Sequence, residues 1–567
     1  MFALLKTLCL LLIAGLLAMI GSLVPAYIRS IDSNVIEYAG IQGTAAINCA
    51  WAEANAANIG PAALISKATL TNEAERSALN KHLKALIDKH PQYTISGGPS
   101  PDFENFLNLT QSHNRSATNR NAVLSVLLPR NERRFLAETL WASSNTYVTA
   151  LLKTRNLRGM LRLHPADHPA GAPYDAGVLT LALLIQNGHF KPGLANQISQ
   201  IATHAVSGKP VAVKTMEDLA LATLSIARQL DFRSLSCLAA ISTSPNDWVH
   251  IAAIFRAQPQ RIPQVFTALY FAGETRGIYK YLAAHTDTAA TDLDFALRHG
   301  PQAVEFLLEN GQSLFRASAA SNTVLGLLAP YRPQFFTALT HDNITLGLAL
   351  KFALFLLAGL FFALSMGAAW RSSLNNDNPV SRQNPAVIAR NVLISIVCAI
   401  TAWIFLEPDL LQSRELTTAD TGPRIEFAVT DALQSLKTPV KAMQELNQVT
   451  LLVLALFFII QLVIYSFCLI KLREIDKQSA PSDLKIKLLD NEDNLFDFGL
   501  YVGLGGTVLS LILVAVGIVE ASLMAAYAST LFGILFTAML KVLHLRPYRR
   551  KLILEANSSP SPVIAKD

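Results

Sequence analysis

The stretch FGLYVGLGGTVLSLILVAVGIVEASLMAAYASTLFGILFTAMLKVL, residues 498–543, decides how the chain is read. It holds two apolar runs, 499–519 and 521–543, with Glu520 between them. Each is long enough to cross a hydrocarbon core of about 30 Å as a helix. Small residues recur at spacing four: Gly499, Gly503 and Thr507 on the first run, and Ala521, Ala525, Ser529, Gly533 and Thr537 on the second. Spacing four keeps a series on one helix face, and small residues let two backbones approach closely in lipid. Gly499, Gly503, Gly506, Ala525, Ser529 and Gly533 are therefore the expected packing positions. Thr507 and Thr530 lie 12 and 11 residues from Val519. At the helical rise both sit roughly 17 Å from the turn, at one depth.

The rest of the chain agrees with a membrane protein that carries a large water-soluble part. Of 567 residues, 51% are hydrophobic and 16% charged, with a mean hydropathy of +0.34. That is too apolar for an ordinary soluble chain. The net charge of +6 is not gathered into a basic face interleaved with aromatics, which speaks against nucleic-acid binding. Residues 1–30 carry Lys6 and then an apolar run from Leu8 to about Ala26. They read as an uncleaved signal anchor, the alternative being a signal peptide cut near Ala26.

Residues 31–343 show apolar residues at helical spacing in short blocks, such as 133–154, 176–190, 216–232 and 303–317. Pro, Gly, Asn and Asp punctuate them, and strand-like alternation is nearly absent. The expectation is an all-α domain, a solenoid-like or irregular helical array without a clean repeat period. The eight-residue run 178–185 is too short to span and reads as a core helix. Further apolar runs follow at 344–370, where Lys351 near the start is able to snorkel, and at 387–406 and 449–470. With the opening hairpin this makes six spans. A polar segment, 407–447, expected to be helical over 425–436, separates the 344–406 hairpin from a core at 448–545. A basic tail, 546–567, follows, expected to be disordered from 552 onward.

Arg371, Arg382 and Arg390, then Lys471, Arg473, Lys477, Lys485 and Lys487, then Lys541, Arg546, Arg549, Arg550 and Lys551 mark three basic stretches. The lower basic density of 407–447 puts that segment on the opposite side. The resulting expectation is an inner-membrane protein with both termini cytoplasmic and residues 31–343 extracytoplasmic.

The soluble part offers little chemistry. His164-Pro-Ala-Asp-His168 has prolines that forbid the regular helix an i,i+4 ligand pair would use, so no metal is expected. Ser96-Gly-Gly-Pro-Ser100 lacks the lysine of a phosphate loop and reads as a turn. There is no GxSxG, HExxH or Walker A pattern, and no enzyme activity or cofactor is expected. Asn108 and Asn114 are sequons that matter only in a eukaryotic secretory setting. Cys49 and Cys237 either pair, if their domain lies outside the cytoplasm, or remain two buried thiols.

In the last three runs, Gly503-Leu-Gly-Gly-Thr-Val508 and Ser529-Thr-Leu-Phe-Gly533 occur in that order and topology. About 100 C-terminal residues thereby resemble the MotA/TolQ/ExbB proton-channel family. Ser510 stands where the family usually has a glycine, and the nearest acid to Thr530 is Glu520, at the turn. The resemblance implies that Thr507 and Thr530 line a polar ion path. It also implies a homo-oligomer, expected as a ring, around a single-span partner resembling ExbD, TolR or MotB. No Asp or Glu lies within any of the six runs, so a titrating carboxylate would have to come from that partner. A threonine hydroxyl donates and accepts, and can face water or a carboxylate without a buried charge. The competing expectation is a non-conducting helical scaffold that recruits extracytoplasmic partners, with both threonines bonded to their own i−4 carbonyls.

Overall fold

The computed structural model describes residues 2–70, 72–100, 103, 122–317, 319–373, 385–407, 410, 448–515 and 523–558. The helix expected over 425–436, the turn at Glu520 with Ala521, the sequons and the last nine residues lie outside them. The chain divides into two compact units, Met1–Arg29 with Arg316–Asp567, and Ser30–Phe315. The division falls at 315/316, earlier than the expected end of the soluble part at 343. Helices Ala319–Leu328 and Gln334–Asp342 thus belong with the membrane helices.

The Ser30–Phe315 unit is helical, as its periodicity predicts. Its central element is Ala172–Gln186, in which every residue from Tyr174 to Ile185 is buried. Thr180 survives there because its hydroxyl donates to the Ala176 carbonyl at 2.7 Å. Around it pack Arg130–Trp141, Thr146–Leu152 and Pro210–Ala227. Trp248, fully buried on Pro245–Ala257, donates its indole N–H to Thr223 at 2.9 Å.

Three expected helical blocks are shorter than their apolar spacing suggests, each for a capping reason. Asn145 accepts from the Tyr147 amide and splits 133–154 into two helices. Asp231 accepts from the Ser234 amide and starts Phe232–Ile241, which cuts 216–232. Gly311, at φ +61°, ends Pro301–Asn310 in the left-handed region. The array is not an open solenoid. Ser33–Ile41 packs on Ala289–His299 and Pro301–Asn310, and Ile59–Thr69 packs on Ile262–Ala272. Ser30–Ile31 also pairs in parallel with Ser313–Leu314, bringing the first and last residues of the unit side by side.

Among the described residues, the other unit has five helices long and apolar enough to cross a membrane: Leu5–Leu23, Ile344–Ala369, Val387–Leu406, Leu454–Lys477 and Tyr527–Ala556. The fifth expected span is described as the helix Phe498–Ala515, whose apolar stretch Phe498–Ile512 is shorter than the other five. Phe2–Leu23 lies along Ile344–Ser373, which lies along Pro385–Leu406. Gln448–Lys477 packs between that helix and Leu523–Leu540, and Leu523–Leu540 pairs with Phe498–Ala515.

The tail differs from expectation. After a π-helical turn at Lys541–Leu545, the chain continues as the helix Arg546–Ser558. Leu545, Tyr548 and Leu552 recur at spacing three and four and share a small core with Leu489 of Ser482–Asn491. Arg549 adds an ion pair to Asp490 at 2.6 Å.

Candidate functional site

The hairpin is built around one backbone contact. A Cβ on Gly503 would lie 2.8 Å from the Ser529 carbonyl oxygen and 3.1 Å from the Gly533 Cα. A Cβ on Gly533 would lie 2.8 Å from the Gly499 carbonyl oxygen. No larger residue fits without moving backbone, so Gly503 and Gly533 set the distance between the helices. Gly506 faces Ser529 and Phe457, whereas Gly505, one residue earlier, faces open space. Ala525 is helical, and its side chain lies outside the described residues.

This contact brings the two expected threonines together. The Thr507 and Thr530 hydroxyls hydrogen-bond each other directly. Thr507 also donates to the Gly503 carbonyl at 3.1 Å, and the fully buried Ser529 hydroxyl donates to the same oxygen at 2.5 Å. Thr507 thus makes the i−4 backbone bond and in addition accepts from Thr530. The arrangement is a buried hydroxyl cluster without formal charge. It can exchange protons or solvate a partner's polar group, but it has no group of its own that ionises near neutral pH.

A second polar level lies two turns along Leu523–Leu540. Gln461, 2% exposed on Gln448–Lys477, donates its Nε2 to the Gly499 carbonyl at 3.0 Å. That bond fixes the orientation of the amide, because only the NH2 end can donate. Gln461 Oε1 and Thr537 Oγ1 are buried and have no hydrogen-bond partner among the described residues. Beyond this level, Lys541 pairs with Asp497 at 2.8 Å and Asp493 at 3.6 Å, and His544 Nε2 meets the Tyr465 hydroxyl at 2.9 Å.

A third polar cluster lies among the other spans. Lys351 does not snorkel; it is fully buried. Its Nζ donates to the Ala26 carbonyl at 2.7 Å and sits 3.9 Å from the Tyr27 ring centroid and 5.5 Å from that of Trp403. The helix Phe2–Leu23 ends just before Ala26, which frees that carbonyl for an outside donor. Glu407, 1% exposed, accepts from the Ile28 amide at 2.9 Å, the Arg29 amide at 2.7 Å and the Trp403 indole at 3.1 Å. Neither Gln461 nor Glu407 stood out in the sequence. A lone polar residue in or beside an apolar run was the only signal.

The His164 and His168 rings stack at 4.2 Å in a loop, and among the described residues no group of three His, Cys, Asp or Glu could hold a metal. Ser96-Gly-Gly-Pro-Ser100 is a turn with positive φ at Gly97 and Gly98. Cys49 and Cys237 are free thiols. Both stand near a polar chain in which Tyr270 donates to Glu53 at 2.5 Å, Asn58 donates to Glu53 at 2.7 Å and Arg233 donates to Asn58 at 2.9 Å. Burial first, then the Glu53 charge, raises the Cys49 thiol, and burial pushes Cys237 up to about 12. Asp175 is buried between Arg133 at 3.0 Å and Arg155 at 2.6 Å. Glu217, 1% exposed, accepts from the amides of Leu161, Arg162 and Leu163 and holds that loop. These are satisfied structural networks.

No protein-family model, curated protein or solved structure matches the chain.

Proposed function

We propose that this chain is the channel-like subunit of an inner-membrane complex driven by ion-motive force. On this reading 448–545 forms an oligomeric core around a single-span partner, both termini are cytoplasmic, and the Ser30–Phe315 unit meets the driven component outside. The observation that supports it is the hydroxyl cluster of Thr507, Ser529 and Thr530, gathered at one level by the Gly503–Gly533 contact. A partner carboxylate could load and release a proton beside such a cluster without a buried charge on this chain. The test is proton flux in vesicles holding the chain together with a candidate single-span protein that carries a carboxylate near the start of its span. Thr507→Ala and Thr530→Ala should each lower flux about tenfold, the effect of losing roughly 1.4 kcal/mol from the path. Flux indifferent to both substitutions would sink the mechanism.

A second reading, a non-conducting scaffold, is favoured by the Thr507 bond to the Gly503 carbonyl, which leaves the hydroxyl cluster satisfied within the hairpin. It predicts no flux from any preparation, with partner capture by the Ser30–Phe315 unit intact.

A further inference from the structure

We propose that Gln461, Thr537 and Gly499 form a binding site for one water molecule, the hydrated station of this helix bundle. The two polar levels differ in a way that the expected motif does not disclose. At the upper level every hydroxyl has a partner within the hairpin. At the lower level two buried oxygens, Gln461 Oε1 and Thr537 Oγ1, have none among the described residues. A buried amide oxygen without a partner costs about 1–3 kcal/mol, so the sequence would gain by replacing Gln461 with an apolar residue unless the oxygen is used. Both oxygens converge on one place. A Cβ on Gly499 would lie 2.9 Å from Thr537 Oγ1 and 3.1 Å from Gln461 Oε1. Gly499 is therefore the residue that keeps the space between them free of carbon. The crevice there is also lined by Ile464, Phe496 and Phe536 and has room for about one water molecule.

The donor count closes with water and with nothing charged. Water donates one hydrogen to Gln461 Oε1. It donates its second to Thr537 Oγ1, or accepts the hydroxyl proton instead. A sodium ion would need about five or six oxygens, and the two oxygens here with the Gly499 carbonyl, already accepting from Gln461 Nε2, fall short. The site lies one turn from Lys541, whose ion pair with Asp497 stands two residues before Gly499. The Gly503–Gly533 backbone contact lies between this site and Thr507. The water site stands on this geometry alone; its use as a proton station rests on the channel reading above.

The test is solid-state NMR on the full chain in lipid bilayers, with 15N-labelled glutamine. The Gln461 side-chain amide, assigned by its loss in Gln461→Met, should show magnetisation transfer from water. Gly499→Ala fills the space and should cut that transfer about tenfold, the weight of one lost hydrogen bond. Thr537→Val, nearly the same shape, should cut it as well, and guards against a Gly499 variant that does not fold. Absence of transfer in the native chain, or transfer that survives both substitutions, overturns the site. Proton flux measured on the same samples separates the two proposals. Transfer without any flux leaves the water site standing and removes the channel reading. Flux without transfer does the reverse.

Discussion

Lys351 is the clearest case of a single side chain deciding local structure. Its ammonium is shielded by Tyr27 and Trp403 and bonded to the Ala26 carbonyl, so the charge tethers the end of the first helix. Lys351→Met keeps the volume and removes the bond. It leaves the Ala26 carbonyl without this donor, which should cost about 1–3 kcal/mol and lower the thermal midpoint of the detergent-solubilised protein. An unchanged midpoint would mean that the tether carries no load.

Asp231 makes a pH-dependent contribution. Burial raises its carboxyl from 3.8 to about 6, against the Ser234 donors that hold it down. The folded state thus binds this proton more tightly than the unfolded chain. The stability it confers is full below pH 3.8 and is lost as pH rises through about 6. Asp231→Asn keeps the cap and abolishes the titration, so chemical denaturation of the variant should lack the decline between those two values that the native chain shows.

At the scale of elements, the membrane helices were legible because hydropathy belongs to each residue separately and needs no partner. Ile344–Ser373 and Pro385–Leu406 fall within a few residues of the runs read for them. Helix ends in the soluble part were less legible, because Asn145 and Asp231 cap only when the chain before them turns away. The glycine contact of the hairpin showed in the spacing of Gly503 and Gly533. The role of Gln461 did not show, since its acceptor is a carbonyl 38 residues away and its neighbour Thr537 is on a third helix.

The helix Arg546–Ser558 was masked by its charge. Its basic residues read as a membrane-side anchor and the Ser-Pro-rich end beyond them as disorder, whereas Leu545, Tyr548 and Leu552 form the face that docks. Leu552 is 2% exposed, and burying a leucine is worth about 1.5–3 kcal/mol. Leu552→Glu should release the helix from Ser482–Asn491 and open the Arg549–Lys551 stretch to trypsin. Resistance equal to the native chain, followed with a C-terminal tag, would show that the docking is held elsewhere.

At the scale of the molecule, two units with separate cores share one chain, and the smaller polar networks serve the core in which each is buried. Arg133, Asp175 and Arg155 serve the Ser30–Phe315 unit, and Lys351 and Glu407 serve the membrane helices. Closure of the helical array went unread in the sequence because Ser33–Ile41 and Pro301–Asn310 are far apart along the chain, and neither carries a mark of the other.

The short parallel pair of Ser30–Ile31 with Ser313–Leu314 has a consequence for how such a chain could have arisen. Paired strands lie about 5 Å apart, so the chain leaves the unit almost where it entered. A unit with adjoining ends can be gained or lost by a gene as a cassette without stretching its host. Replacing residues 30–315 with a short glycine–serine bridge should therefore give a membrane protein that inserts and keeps the Glu407 contacts to Ile28 and Arg29. A bridged protein that is degraded on synthesis would argue instead that the two parts were never separable.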